Sequence, residues 1–522
     1  MSDLTAQLME AHATIVQQQT TIDALSRELE QLKRYVIQLA RDKYGRRSER
    51  LDADQKLLFA EPVTEAPAAL PPEIVVKPHR RRGGGRLVIP EQLQRRIVEH
   101  DLAEDQKPCP GCGTPRRRIG FDKSEQLDME PVSLFVVEHR RWKYACRTCQ
   151  EHVAIAPAPS KPIAKGLPAP GLLAAIGVGK FSEHLPLYRQ EDMLFRQGVN
   201  LPRSTLCRWV IEAAELLRPF YELLKSEILQ SRVIHTDDTP VKVLDRNLPQ
   251  TRTGRFWVYC GDRQHHYTAY DYTPSRQRDG PVRFLGDYAG YLAADAFAGY
   301  DGIYAGGQVT QVLCWAHARR KFFEAKETSK LAHAALSYIG RLYQIEAELN
   351  AQRYPMNDRS EMDRVLLKWQ RARRETRQRE ATPILREFHA WLLQAQRETL
   401  PKSPLGQAIG YLLPRWPAFT RYCEKGFLNI DNNISERMVR PVAIGRRNWT
   451  FLGADRGGHA AAVWYSLVAT AKANHVEPWA WCRALIQRLA ELGDAPSTDE
   501  LTPLLPQAWI ARNPLAMRQW AR

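Results

Sequence analysis

Asp237 interrupts a segment that otherwise reads as a β-strand, and that interruption restricts the possible folds more than any other feature of the 522-residue chain. Aspartate is depleted in strands, yet Asp237 lies between Val233-Ile234 and Val241-Lys242-Val243. A metal ion held by the carboxylate would supply the reason. Two further acids sit in short motifs of their own: Asp295 in Leu292-Ala-Ala-Asp-Ala-Phe-Ala-Gly-Tyr300, and Glu436 in Asp431-Asn-Asn-Ile-Ser-Glu-Arg437. Widely spaced carboxylates of this kind suit a two-metal site for phosphodiester chemistry.

The pattern around these acids gives the fold class. Strand-like runs cover Arg232 to Leu244, Gly254 to Cys260 and His266 to Tyr272. A short helix follows around Val282 to Asp287, then strands at Gly290 to Asp295 and Gln308 to Trp315. Three strands, a helix, a strand, a connection and a strand is the order of a ribonuclease H-like mixed sheet. Asp237 falls on its first strand and Asp295 at the end of its fourth. Residues 316 to about 425 are helical and heavily charged, and they separate the second acid from Glu436, which opens a new helix.

The expected organisation is therefore multidomain α/β. Residues 1–45 carry a heptad repeat, with Leu8, Ile15, Ile22, Leu29 and Val36 at one seam position and Leu4, Leu25, Leu32 and Leu39 at the other. Apolar seams of period 3.5 predict a leucine-zipper coiled coil, hence a homodimer or higher oligomer, with Gln18 as a polar register mark. Residues 46–95 form a basic, Pro- and Gly-rich linker. Residues 96–155 hold Cys109-Pro-Gly-Cys112 and Cys146-Arg-Thr-Cys149, a spacing that predicts a closed four-cysteine zinc ribbon with a structural role. The remaining cysteines, Cys207, Cys260, Cys314, Cys423 and Cys482, fit reduced, buried thiols.

Residues 165–228 are helical and contain a helix-turn-helix-like stretch, Leu187 to Gln197, a turn at Gly198, and a helix with Pro202 in its first turn. Leu206, Trp209 and Val210 would pack inward and leave Arg203, Ser204, Thr205 and Arg208 for a DNA groove. Plain helical packing is the alternative. The catalytic domain then spans 229–322 and 426–478, with a helical insertion at 323–425 and a C-terminal helical element at 479–522. Seventy-five basic against fifty-nine acidic residues, a net charge of +16, favour a polyanionic partner such as double-stranded DNA. No stretch of eighteen apolar residues and no leader-like N-terminus is present, so a cytoplasmic protein without a membrane partner is expected.

Each acid has a structural alternative. Asp237-Asp238-Thr239-Pro240 suits a side-chain-stabilised turn, and Asp295 suits a helix N-cap before Ala296-Phe297. Asn433-Ile-Ser-Glu436 fits a capping box, with Arg440 as a partner for Glu436. His317, Arg319 and Arg320 read equally well as phosphate contacts or as a solvated helix face. Arg446 and Arg447, before Trp449, suit an unpaired DNA strand end or a surface loop.

Taken together, the zipper, the two cysteine knuckles, His235-Thr-Asp-Asp-Thr-Pro-Val241, Ala294-Asp-Ala-Phe-Ala-Gly-Tyr-Asp301, Cys314-Trp-Ala-His-Ala-Arg-Arg-Lys-Phe322, and Asp431 to Arg437 followed by Arg440 to Trp449 resemble the insertion-sequence 66 family of DDE transposases. The likeness spans nearly the whole chain. It implies that Asp237, Asp295 and Glu436 are the catalytic triad, ligands for Mg2+ or Mn2+. It also implies cleavage at insertion-sequence ends, transfer of the 3′ hydroxyl into target DNA, and a bacterial element that sometimes encodes accessory proteins. Where the family usually has Asp-Glu-Thr this chain has Asp237-Asp238-Thr239, which leaves open which of the adjacent acids binds metal. The competing readings are a DNA-binding protein with an inactive nuclease fold and a structure-specific nuclease that never joins its products.

Overall fold

The computed structural model describes residues 89, 91, 93–130, 133–146, 153–164, 166–245, 248–351 and 359–516. The zipper expected over 1–45, nearly all of the linker and Cys149 lie outside the described residues. What is described is mixed α/β, with two mixed sheets and many helices.

The first sheet orders its strands β1-β3-β2, where β1 is Arg95–His100, β2 is Arg117–Glu130 and β3 is Ser133–Ala145. β2 and β3 form a long antiparallel hairpin, β1 lies parallel to β3, and a two-residue strand, β4 (Ala154–Ile155), pairs with the end of β3. Leu127, Leu134 and Val136 are buried against the helices that follow. Asp128, also buried, makes the join polar as well, because its Oδ1 accepts the backbone N–H of Leu172 at 2.8 Å. That bond occupies a free donor at the N-terminus of α1 (Pro170–Phe181), where a carboxylate also meets the positive end of the helix dipole.

α2 (Leu187–Arg196) and α3 (Arg203–Leu229) meet across a turn in which Gly198 takes φ 81°, a left-handed conformation that glycine adopts without strain. Pro202 stands immediately before α3 as its N-cap, one position earlier than expected. The helix runs on for 27 residues, because Ala213, Leu217, Phe220, Leu224 and Ile228 continue the buried stripe begun by Leu206, Trp209 and Val210.

The second sheet orders its strands β7-β6-β5-β8-β9. β5 (Val233–Val243), β6 (Arg252–Cys260) and β7 (Thr268–Thr273) are antiparallel neighbours, while β8 (Gly290–Ala294) and β9 (Val309–Leu313) continue parallel to β5. The helix α4 (Asp279–Leu285) precedes β8. Ile234 and Leu292 pack into the core shared with α1 and α3, whereas Val233 and Ala293 join a second core built with the insertion, as the alternation of a strand requires.

The insertion follows α5 (Trp315–Ala325) and comprises α6 (Lys330–Ala351), α7 (Arg359–Thr376), a π-helical turn at Arg377–Ala381, α8 (Thr382–Arg397) and α9 (Pro404–Leu412). α10 (Asn433–Trp449), α11 (Asp455–Ala473) and α12 (Pro478–Leu492) complete the main helices. α11 closes the edge of the sheet. Ser466 Oγ accepts the β7 N–H of Tyr270 at 2.8 Å, and Thr470 Oγ1 both accepts the N–H of Thr268 and donates to its carbonyl at 3.0 Å. Those backbone groups would otherwise offer an unpaired edge.

Cys260, Cys314, Cys423 and Cys482 are buried free thiols as expected. Cys207 is not: it lies on the outer side of α3 between inward-facing Leu206 and Trp209, and is exposed.

Candidate active site

The β5–β8 register brings the first two acids together. Val233 pairs with Tyr291, Ile234 with Leu292 and His235 with Ala293. Two residues beyond the last pair come Asp237, within β5, and Asp295, just past the end of β8, so the two acids stand side by side where the parallel pairing stops. Burial raises the pKa of Asp237 to about 7, and the nearby charges of Asp295, Asp238 and Glu436 push in the same direction. Asp295 is also raised by burial, against the pull of His317 and Arg276.

Glu436 arrives from α10. Its first turn is tied to β5 by the buried side chain of Asn432, whose Nδ2 donates to the Thr236 carbonyl at 2.8 Å and whose Oδ1 lies 2.9 Å from His235 Nδ1. The capping-box alternative for Glu436 fails on this geometry. Asn432, not Asn433, is the N-cap residue, no side chain caps the helix, and Glu436 Oε1 is buried without a hydrogen-bond partner. Its nearest basic neighbours are His317 Nδ1 at 3.6 Å and Arg320 Nη2 at 3.9 Å, rather than Arg440. The turn and cap alternatives for the other two acids fail as well: Asp237 to Pro240 pair with β6 inside a continuous strand, and the short helix after Asp295 starts at Ala298 with Phe297 as its N-cap. Asp237 Oδ1 accepts the N–H of Asp238 at 2.8 Å, and Asp295 Oδ1 that of Phe297 at 3.1 Å. Each uses one oxygen in this way.

Asp238 is neutralised within the protein. Arg255 Nη1 lies 2.7 Å from its Oδ2 and Arg276 Nη2 2.8 Å from its Oδ1. Arg276 also reaches to 4.0 Å from Asp295 and stacks over Phe297. Neither arginine stood out in the sequence, since each comes from a strand or loop remote from the acidic motifs. Half-buried carboxylates close enough to raise the pKa of Asp237, and a carboxylate oxygen of Glu436 without a hydrogen bond, are a donor set that fits hard divalent cations. Cys314 and His317 lie close enough to Glu436 to form a second possible ligand cluster with it.

Cys109, Cys112 and Cys146 bring their sulfurs together, with 3.4 Å between Cys112 and Cys146, an arrangement that suits a structural zinc; Cys149, the fourth expected ligand, is outside the described residues. Of the expected DNA contacts, Arg203, Ser204 and Arg208 are exposed on α3 and Thr205 is half-buried. Arg440 and Arg447 are exposed on α10, on one stripe with Arg437 and Ile444. Arg446 turns inward, where its Nη1 donates to Thr239 Oγ1 at 2.7 Å and to the Pro240 carbonyl, so it braces α10 against β5. His317 faces the acids, while Arg319 and Arg320 are exposed on α5.

Comparison with known proteins agrees along the chain. The model described as the transposase IS66 family matches residues 165–460, and the zinc-finger binding domain of transposase IS66 matches 106–150. The model described as Transposase C of IS166 homeodomain matches 31–98 and the IS66 C-terminal element 466–510. Similar proteins include y4hP of Sinorhizobium fredii (strain NBRC 101917 / NGR234), 31% identical over 516 residues, covering 94% of this chain and 89% of the relative. From the same organism, y4jD is 30% identical over 513 residues, covering 94% and 96%; both relatives are described as uncharacterized.

Proposed function

The chain belongs to the IS66 family of transposases, and from that premise we propose that it is a metal-dependent DNA transposase that cuts at insertion-sequence ends and joins the freed 3′ hydroxyl to target DNA. The observation that carries the proposal is the convergence of Asp237, Asp295 and Glu436 from two adjacent strands and a helix that returns after a long insertion. The strand order of the second sheet supports a ribonuclease H-like catalytic domain.

In this reading Asp237, Asp295 and Glu436 hold Mg2+ or Mn2+. Ions held there would supply activation of an attacking oxygen and stabilisation of a leaving oxygen in an in-line displacement. Asp237 is the better ligand of the adjacent pair, because both oxygens of Asp238 are already held by arginines. Arg276, placed between Asp238 and Asp295, limits the mutual repulsion of the acids and fixes their orientation. End cleavage and joining both replace one oxygen by another on phosphorus, so a single site serves both.

DNA reaches the site along basic surface. Arg440 and Arg447 continue outward from Glu436 on α10, and Arg203, Ser204, Thr205 and Arg208 offer a second contact on α3. The zinc-bearing module serves as a structural unit that no chemistry passes through, and the zipper provides the second subunit.

The test is cleavage of duplexes carrying the element ends, with Mg2+ or Mn2+, by the wild-type protein and by Asp237→Asn. Metal-dependent nicking by the wild type, with end binding but no nicking by the variant, is the expected result. Tight end binding with no scission by the wild type in either metal would identify an inactive nuclease fold instead.

A further inference from the structure

The first helix of the insertion faces α5 across a cleft of about 600 Å3 that opens beside Glu436. Arg319, Arg320 and Phe323 of α5 line one side, Gly340 and Tyr343 of α6 the other. A volume of this order lies in the range of small-molecule sites, roughly 300–1,000 Å3.

Two features of the lining stand out. Phe323 is 46% exposed, although Trp315, Ala318, Phe322 and Ala325 on the same helix are buried. Two cations lie against its ring, Lys326 Nζ at 3.9 Å and the Arg319 guanidinium at 5.9 Å from the centroid, so the wall is aromatic and basic together. Gly340 stands inside the 22-residue α6, where glycine destabilises a helix relative to alanine. A Cβ there would meet nothing within 4 Å, so no neighbour demands the gap. One turn further along, Tyr343 closes the recess, its hydroxyl buried beside the Asp431 carboxylate. A flat aromatic ligand carrying an anion would satisfy the ring and the arginines at once.

Resting on the transposase reading of Glu436, we infer that this cleft takes up one unpaired nucleotide of the DNA strand, the one flanking the scissile phosphate, with its base against Phe323 and its phosphate at Arg319 and Arg320. A recess between two helices admits a single base and excludes a duplex. Stacking on an aromatic side chain offsets part of the cost of drawing one nucleotide out of the helix. Drawing it out exposes the adjoining phosphodiester to the acids.

The experiment uses the full-length protein and two end duplexes, one intact and one with an abasic site at the flanking nucleotide. Phe323→Ala, at an exposed position, and Gly340→Leu, which fills the recess while improving helix propensity, both leave the fold in place. The expected result is cleavage of the intact duplex at least tenfold slower in both variants, with Phe323→Ala matching the wild type on the abasic duplex because no base remains to stack. Wild-type rates for both variants on both duplexes, beside an active wild type, would overturn the inference alone. A wild type that cuts neither duplex would overturn the catalytic reading and this inference with it.

Discussion

Asn432 Oδ1 lies 2.9 Å from His235 Nδ1, although 197 residues separate the two in the chain. The same amide donates through Nδ2 to the Thr236 carbonyl, so its oxygen is left to accept and the His235 proton belongs on Nδ1, an assignment that follows from the network. Burial holds the His235 pKa down at about 4, which keeps the ring neutral. One side chain thus fastens the helix bearing Glu436 to the strand bearing Asp237.

Replacing that side chain strands buried polar groups on both elements. Asn432→Ala should cost about 2–4 kcal/mol, from an imidazole N–H and a carbonyl each left without a partner. Urea unfolding of the variant beside the wild type measures it. A loss below half a kcal/mol would mean that the clamp does not hold the two elements.

Asp237 and Asp238 should differ sharply when each is changed to asparagine. Asp238→Asn weakens an ion-paired neighbour of the site and should lower cleavage about 10–100-fold. Asp237→Asn should remove cleavage and most divalent-ion affinity, read by calorimetric titration with Mn2+. The reverse ranking would assign the metal to Asp238.

Arg377 is fully buried in the π-helical turn, where it pairs with Glu346 at 2.6 and 2.8 Å and donates to the carbonyls of Tyr422 and Leu428. It holds the segment that leads back toward α10. Arg377→Met leaves Glu346 with Arg373 alone and should cost about 3–5 kcal/mol, the usual penalty for breaking a buried pair from one side. Thermal unfolding checks this, and adding Glu346→Leu should deepen the loss, because Arg373 would then be buried without its carboxylate.

His139 gives the first sheet an acid limit. Burial pushes its pKa from 6.5 to about 4, helped by His100 and Lys161, while its ring nitrogens contact Gln126 at 2.7 Å and His100 at 3.0 Å. A depressed folded pKa contributes stability that is complete above pH 6.5 and is lost as pH falls toward 4. The loss should reach at most about 3 kcal/mol. Unfolding midpoints across that range should fall in the wild type and flatten in His139→Gln.

Cys109→Ser should lower zinc content and loosen the hairpin end of the first sheet while leaving the second sheet folded. Metal analysis with limited proteolysis reads both effects. Retention of wild-type zinc would assign the metal to other groups.

Much of the second sheet was legible in the sequence because its strands are short, apolar and separated by turns, so the order of elements survives errors at their ends. The nearness of Asp237 and Asp295 followed from that order. The setting of Glu436 did not: Asn433-Ile-Ser-Glu436 has the local pattern of a cap, whereas the long-range bond of Asn432 to β5 goes with a helix start at Asn433 and leaves Glu436 Oε1 without a hydrogen bond. Arg373 and Arg377 hid in a similar way, since a charged helical stretch carries no local mark of which arginines turn inward to a buried glutamate. Arg446 likewise looks like its exposed neighbours until α10 is laid against Thr239.

The most direct test of the account is strand joining. Purified protein is incubated with duplexes carrying the element ends and a supercoiled target, with and without Mg2+, beside Glu436→Gln. The account predicts end-to-target joined products that require both the metal and Glu436. Cleaved ends that are never joined, or full joining by Glu436→Gln, would contradict it.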